Sequence, residues 1–317
     1  MTPPAPDHRL DASDPHVHRD WDPDRDPVLT VDPGDVVAFE CRDATDGHLS
    51  PDSTVEDVLT LDFQGHPLTG PVAVAGATPG DALLVDVLAV DHHGVGYTYF
   101  YPGAEGKGLL PDEFPAAGLH VWDLGDGVGR FVNGIEVPLA PFPGNLGAPP
   151  AEPGPHSTTP PRRVGGNLDV RHLTAGATLR LPVEVEGALF SVGDGHAAQG
   201  DGEVCVTGVE TPTTVTARFR LDRDGAPDRP EFETTGPYAP AASDGPAYGT
   251  TGVAPDLMDA TADAVRGMID HLHAERGLSR AEAYVLCSAA VDLKLSEVVN
   301  APNWVVSAYV PESIFPD

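Results

Sequence analysis

Apolar and polar positions alternate along much of this chain. Two stretches, VLTVDPGDVVAFECRDA (28–44) and GPVAVAGATPGDALLVDVLAVD (70–91), set β-branched runs on either side of a Pro-Gly-Asp break. Proline's fixed φ and glycine's positive φ supply a turn there, so both stretches predict strand, turn, strand. The matching DPGD (32–35) and TPGD (78–81) turns suggest related hairpins, although the flanks do not match at a fixed period and no sequence repeat is read. Strand-like runs return at TLRLPVEVEGALFSV (178–192) and VCVTGVETPTTVTARFRL (204–221). Between these blocks, 94–160 is rich in Gly, Pro and aromatics without sustained periodicity, which predicts long loop laid over a sandwich face or a site. A proline-rich, acidic connection follows over 222–250.

The period changes near the C-terminus. Met258, Ala262, Val265, Ile269 and Leu272 fall on one face of a helix that Gly277 would stop. Ser279 and Glu282 have the spacing of a capping box, which predicts a second helix. Its apolar run, AYVLCSAAVDLKL, is nearly continuous and predicts packing on more than one side. VVSAYVP reads as a last strand.

Composition supports a mainly β reading. With 35 Gly and 34 Pro in 317 residues, tight turns between short strands are favoured over long helices, and 40% apolar content suffices for a core. The formal net charge of -31 repels nucleic acid and anionic lipid. Lys107 and Lys294 are the lysines, so arginine carries most of the positive charge, a balance that suggests a source adapted to concentrated salt. No basic region followed by an apolar run opens the chain, and no segment reaches the apolar length of a membrane span. The expected location is cytoplasmic. Cys41, Cys205 and Cys287 fit neither a disulfide framework nor a CxxC site and read as small buried apolar residues.

The densest chemistry lies in GGNLDVRHL (165–173) and SVGDGHAAQGDGEV (191–204). In the second segment Asp194, His196, Gln199, Asp201 and Glu203 interleave with Gly193, Gly195, Gly200 and Gly202. On a loop leaving a buried strand these groups can converge on one point, and glycine permits close backbone approach. Oxygen ligands with one nitrogen suit zinc with an open position, although acid-rich loops also fit calcium. A metal there would lower the pKa of water and polarise an amide carbonyl. The amine of an amide leaves only when protonated, which requires a proton shuttle, and Glu203 is placed for that role. The plainer alternative is a pair of hairpin turns bearing solvated acids.

The run GGNLDVRHLTAGATLRLPVEVEGALFSVGDGHAAQGDGEVCVTGVE (165–210) resembles the acetamidase/formamidase family. The likeness extends to HPLTGPVAVAGATPGDALLVDV (66–87), PFPGNLGAPPAEPGPHSTTPP (141–161), YGTTGVAPDLMDA (248–260) and GLSRAEAYVLCSAAVDLKLSEVVNAPNWVVSAYVP (277–311), nearly the whole chain in order. It implies a hydrolase of carbon–nitrogen bonds in small linear amides, with a bound divalent metal, zinc before calcium. It also implies a jelly-roll-like β-sandwich over 1–221, a smaller helical α/β part over 222–317, and a homo-oligomer. Its polar positions fall on Asn167, Asp169, Asp194, His196, Gln199, Asp201 and Glu203. Of these, Asp169, Asp194 and His196 are assigned as metal ligands, and Glu203, Asp201 and Asn167 to catalysis, with Gln199 as a further candidate.

Early histidines are also common in the family. His16 and His18 would place both rings on one side of a strand, and His66 is held by the proline that follows. His92 and His93 read as surface residues, and Asn133-Gly134 as a turn. The aromatic stretch YTYFYPG (97–103) departs from the family and is positioned to reshape a substrate pocket, so a larger amide is an alternative substrate. A non-catalytic sandwich with a structural ion is the other alternative. No phosphate loop and no G-x-S-x-G elbow is present, and Cys205, alternating with valines, is a poor nucleophile.

Overall fold

The alternating runs build two sheets that face each other across one apolar core. In a computed structural model, residues 4–103, 108–236 and 245–316 are described; Lys107 and 237–244 of the acidic connection lie outside them. One sheet orders the strands His8–Leu10, Val36–Cys41, Thr213–Asp222, Ala82–His92, Thr178–Pro182 and Glu231–Glu233. The opposing sheet orders Gly165–Asn167, Phe142–Gly147, Phe190–His196, Leu68–Val74 and Val17–His18, with Leu29–Val31 also on Leu68–Val74. Phe39 and Phe219 from the first sheet meet Phe190 from the second, with ring centroids 5.2 to 6.2 Å apart in edge-on contacts. Leu83, Val85 and Val215 pack on Val72, Val74 and Val192 around them. The mainly β fold with two C-terminal helices is as expected.

The two Pro-Gly-Asp turns are not hairpins. Leu29–Val31 pairs with Leu68–Val74, and Val36–Cys41 pairs with Thr213–Asp222 in the other sheet. The second turn likewise leaves Leu68–Val74 for Ala82–His92 in the opposite sheet. Each turn is a corner of the sandwich, because the apolar residues on its two sides must face one core from opposite walls.

The segment 94–160, expected to be long loop, contains a whole sheet. Val95–Phe100, Gly118–Gly125, Val128–Arg130 and Glu136–Pro138 form a four-stranded antiparallel sheet. Glycines and aromatics hid the alternation, but Trp122, Leu124, Phe131 and Ile135 are buried. They belong to a second core, shared with the helices Leu257–Arg276 and Arg280–Ala290. Those helices also cover a three-stranded sheet of Ala247–Ala254, Trp304–Pro311 and Asp292–Glu297.

At the helices most of the local chemistry is as read. Gly277 closes the first at φ 68, and Ser279 with Glu282 forms the capping box of the second. Ala262, Val265, Ile269 and Leu272 are buried, but Met258 in the first turn is 59% exposed. The second helix stops at Ala290, and the DLKL expected to continue it is strand, because Asp292–Glu297 pairs with Trp304–Pro311. The segment 204–210, read as strand, is turn and loop, and Thr213–Asp222 carries the strand. All three cysteines are buried thiols, as expected. His92 and His93 end a strand near the surface, and Asn133 adopts a left-handed turn at φ 56. No helix among the described residues is long and apolar enough to cross a membrane.

The outer face of the first sheet carries an ion cluster. Arg218 and Arg220 both reach Asp86, with nitrogen–oxygen distances of 2.6 to 3.0 Å, and Thr178 donates to it at 2.8 Å. Burial raises the Asp86 carboxyl, but Arg220, Thr178 and Arg218 outweigh that and hold it down to about 2, against an ordinary 3.8. The unfolded chain therefore binds this proton more tightly, so the cluster stabilises the fold above pH about 4 and loses that contribution as pH falls toward 2. Asp86→Asn is expected to lower stability at pH 7 by about 1 kcal/mol, after screening at the half-exposed guanidiniums. In thermal melts the gap from wild type should be widest at pH 7 and narrow at pH 3.

Candidate active site

The strand Phe190–His196 runs through the middle of its sheet, and its last residues are the centre of the site. Asp194 and His196 are both buried, at 3% and 1% exposure. The segment is strand rather than the loop expected from its glycines. Gly193 and Gly195 serve close packing: a Cβ at 193 would lie 2.3 Å from the Pro67 carbonyl, and one at 195 would lie 2.3 Å from the Thr213 side chain. His196 pairs with Phe142, whose ring meets the imidazole edge-on at 5.1 Å.

Two turns and one bridge bring three more carboxylates to this strand end. Asp169 follows Gly165–Asn167, with its N–H on the Gly144 carbonyl at 3.2 Å. Asn167 donates to the Asp169 carboxylate at 2.8 Å, and Gln199 donates to the Asp169 carbonyl at 3.0 Å. Glu203 comes from the turn after Gly200 and sits 3.7 Å from the His196 ring nitrogen Nε2. Glu210 is fixed by reciprocal backbone bonds with Tyr97 and lies closest, 3.0 Å from the same nitrogen. His66 completes the rim: its Nε2 is 3.7 Å from Asp194, and Thr158 pairs with its backbone N–H and its ring.

The Glu203 turn hangs on the C-terminal helix. The Ser288 carbonyl accepts from Gly200 N–H at 2.8 Å, and the Ser288 hydroxyl accepts from Cys205 N–H at 3.2 Å and donates to the Thr207 carbonyl at 2.6 Å. The Tyr284 hydroxyl donates to the Val204 carbonyl. Asp169, Asp194 and Glu203 all have positive φ, at 49°, 56° and 45°. Three carboxylates in the left-handed region at one site are a costly arrangement, the kind of strain that collects at functional centres.

Packing four carboxylates around one imidazole sets the electrostatics. Burial pushes Glu203 well above the carboxylate range, and Asp169, Glu210 and Asp194 push it further. Asp169 and Glu210 are raised for the same reasons, by burial first and by neighbouring acids. Burial would lower the His196 imidazolium, but Glu210 and Asp194 carry it well above its ordinary value. Asp194 goes the other way, held down by His66 and His196 against its own burial. Ligand atoms of Asp169, His196 and Glu203 lie within 4.8 Å of one another, and so do those of Asp194, His196 and Glu210. Asp169 Oδ1, Glu210 Oε2 and His196 Nδ1 are buried with no hydrogen-bond partner.

The structure thus gathers Asn167, Asp169, Asp194, His196 and Glu203, with His66 at the edge and Gln199 supporting Asp169 from behind. Asp201 and His18 are not gathered. The carboxyl of Asp201 sits among Asp292, Arg171, His172 and Lys294, because Gly200 is wedged against the Val291 carbonyl and the chain reverses there. His18 binds the Ser191 hydroxyl at 2.8 Å and the Asp20 carbonyl at 2.7 Å and is structural. His16 ends a short 3-10 turn and faces Asp11, so the two rings do not share a side. Sequence reasoning missed Glu210, whose signal was an isolated acid in the apolar and threonine-rich run 204–221.

These groups form the floor of an open cavity of about 660 Å³, with Tyr99, Tyr101 and Phe63 among its walls. The backbone path is similar to those of solved structures named as a gamma lactamase and acetamidases. The gamma lactamase from Delftia acidovorans superposes with a TM-score of 0.90 at 28% identity, covering 98% of this chain and 94% of that one. An acetamidase from Bacillus halodurans superposes at 0.68 with 29% identity, covering 95% and 96%. In sequence, the formamidase of Methylophilus methylotrophus is 28% identical over 95% of this chain and 90% of its own length. The acetamidase of Mycolicibacterium smegmatis is 30% identical over 62% and 64%. The Acetamidase/Formamidase family profile matches residues 5–157 and 151–317, so the chain belongs to that family and is an amide hydrolase.

Gly144 offers a test of the site's geometry. A Cβ there would lie 2.5 Å from Asp169 Oδ1 and 2.8 Å from the His196 ring. Gly144→Ala should displace both and reduce kcat/KM on an amide by about 100-fold or more, the usual cost of an ångström-scale misplacement. Its circular dichroism spectrum should remain that of the wild type.

Proposed function

We propose that the protein hydrolyses the carbon–nitrogen bond of a neutral, small-molecule amide of the formamide and acetamide type, with a divalent cation held at the carboxylate–histidine floor. The observation that carries this reading is four carboxylates, two buried and two half-buried, gathered against one buried imidazole, with three polar atoms left unpartnered. Such a group of acids can ionise together only if something positive neutralises them, and a divalent cation does so more completely than shared protons. Asp194, His196 and Glu210, one of the two groups whose ligand atoms converge, would hold it, with Asp169 of the other group beside them. The imidazole nitrogen among the oxygens favours zinc over calcium.

A cation there supplies Lewis-acid polarisation of the amide carbonyl and a lowered pKa for water. The chain's own residues do the rest. Asn167 fixes the Asp169 carboxylate, and Gln199 fixes the backbone that carries it. Glu203 takes the proton released as the water oxygen bonds to the carbonyl carbon and delivers it to the nitrogen as the carbon–nitrogen bond breaks. Ammonia and the carboxylic acid leave, and at neutral pH the acid's proton passes to ammonia to give carboxylate and ammonium. No thiol competes as nucleophile, since burial holds Cys205 up at about 11.

Dialysis against a strong chelator is expected to abolish ammonia release from formamide and acetamide, and zinc to restore it. His196→Ala should lose both bound metal, by elemental analysis, and turnover. Full turnover by protein shown to be free of metal would reject the proposal.

A further inference from the structure

The cavity is much larger than the smallest amides require. Formamide has three heavy atoms and needs on the order of 100 Å³, taking water's share of liquid volume, about 30 Å³, for each. The cavity holds about 660 Å³, within the range of sites for far larger ligands. Its character is split. The floor is the acid cluster, whereas the walls above it include Leu59, Leu61, Phe63, Tyr99, Tyr101 and Val206. Among the described residues no Lys or Arg lines it.

The placement of these walls is specific. Tyr99 is on the strand Val95–Phe100 and Tyr101 directly follows its end, and their rings meet edge-on at 5.7 Å. Phe63 packs edge-on against His66 at 4.9 Å, so one aromatic wall abuts the acid floor directly. Leu59, which ends the short helix Val55–Leu59, is 56% exposed at the mouth. An exposed leucine and a partly covered aromatic ring beside a polar centre are surfaces that gain from burial against apolar atoms.

We infer that the preferred substrate is an uncharged amide whose acyl group is apolar and larger than acetyl, such as a medium-chain or arylacetyl amide. This rests on the amide-hydrolase reading of the floor and assigns the walls as the specificity determinant. The carboxamide meets the acids, and the acyl group lies against Leu61, Phe63 and Tyr101. An acyl group bearing a carboxylate would meet apolar walls and finds no Lys or Arg among the described lining residues.

The test is a kcat/KM series over formamide, acetamide, butyramide, hexanamide and phenylacetamide with the metal-loaded protein, read by ammonia release. Each added methylene is expected to raise kcat/KM on the order of fourfold until the cavity is filled. Leu61→Ala and Tyr101→Ala, two variants so that misfolding of one does not decide the matter, should each reduce the hexanamide-to-acetamide ratio several-fold. Equal or faster hydrolysis of formamide and acetamide overturns the inference and leaves the amide-hydrolase reading standing. If no amide is hydrolysed, that reading fails, and calorimetry with phenylacetamide decides the walls independently. Binding weakened by both substitutions supports them, and no measurable binding overturns them.

Discussion

The structure is organised around a single electrostatic constraint: four carboxylates, two buried and two half-buried, are held together around one buried imidazole. Left to themselves, Asp169, Asp194, Glu203 and Glu210 would separate or take up protons, and burial already drives three of them toward the neutral form. The fold overcomes this by drawing the acids from separate parts of the chain and fixing each backbone independently. Asp194 is on a central strand, Asp169 follows an edge strand, Glu210 is locked to Tyr97, and Glu203 is in a turn borne by a helix. No single local segment could relax and release the repulsion. A site assembled in this way can present several oxygens to one point without collapsing onto itself, which suits both cation binding and proton movement.

The same constraint explains the backbone around it. Positive φ at Asp169, Asp194 and Glu203 turns these side chains inward, where an extended backbone would alternate them away. Gly144 is bare because the Asp169 carboxylate and the His196 ring occupy the space a side chain would need. Gly193 and Gly195 let neighbouring chain approach the strand that carries Asp194 and His196. Glycine here is used mainly for close contact, and strain is borne by the acids themselves.

That distinction accounts for what could be read in the sequence. GDGHAAQGDGE located the centre because its acids, imidazole and glycines lie in one run, but alternation along that run could not show that Asp201 leaves the site while Glu203 enters it. The difference lies in Gly200 meeting the Val291 carbonyl, a contact across 91 residues. Glu210 was obscured for a related reason: its partner Tyr97 comes from a segment read as loop, so nothing local marked its side chain as convergent. The Pro-Gly-Asp turns were recognisable as turns, but not as corners between sheets, because pairing partners are set by distant strands such as Thr213–Asp222. Capping at Ser279 and the stop at Gly277 were legible because both are settled within a few residues.

The C-terminal part then has a function beyond covering apolar surface. The helix Arg280–Ala290 holds the Glu203 turn through Ser288 and Tyr284, and the adjacent Leu293 N–H bonds the Asp201 carbonyl at 3.2 Å. Tyr284 also accepts from Leu110 N–H and stacks on Phe114 at 4.3 Å, which joins the same helix to the region following the tyrosine strand of the cavity wall. Floor and wall are thus referenced to one rigid element, although Asp194 and His196 are referenced to the sandwich. Glu203 and the tyrosine wall therefore share a frame, and Asp194 and His196 occupy another. A shift between the two cores would change the distance from Glu203 to His196 while leaving each core intact. The polar bonds around Ser288 fix the Glu203 turn within its own core, and the backbone bridge between His196 and Glu210 ties that core to the sandwich strand, which places the precision of the site in contacts made across the two halves of the fold.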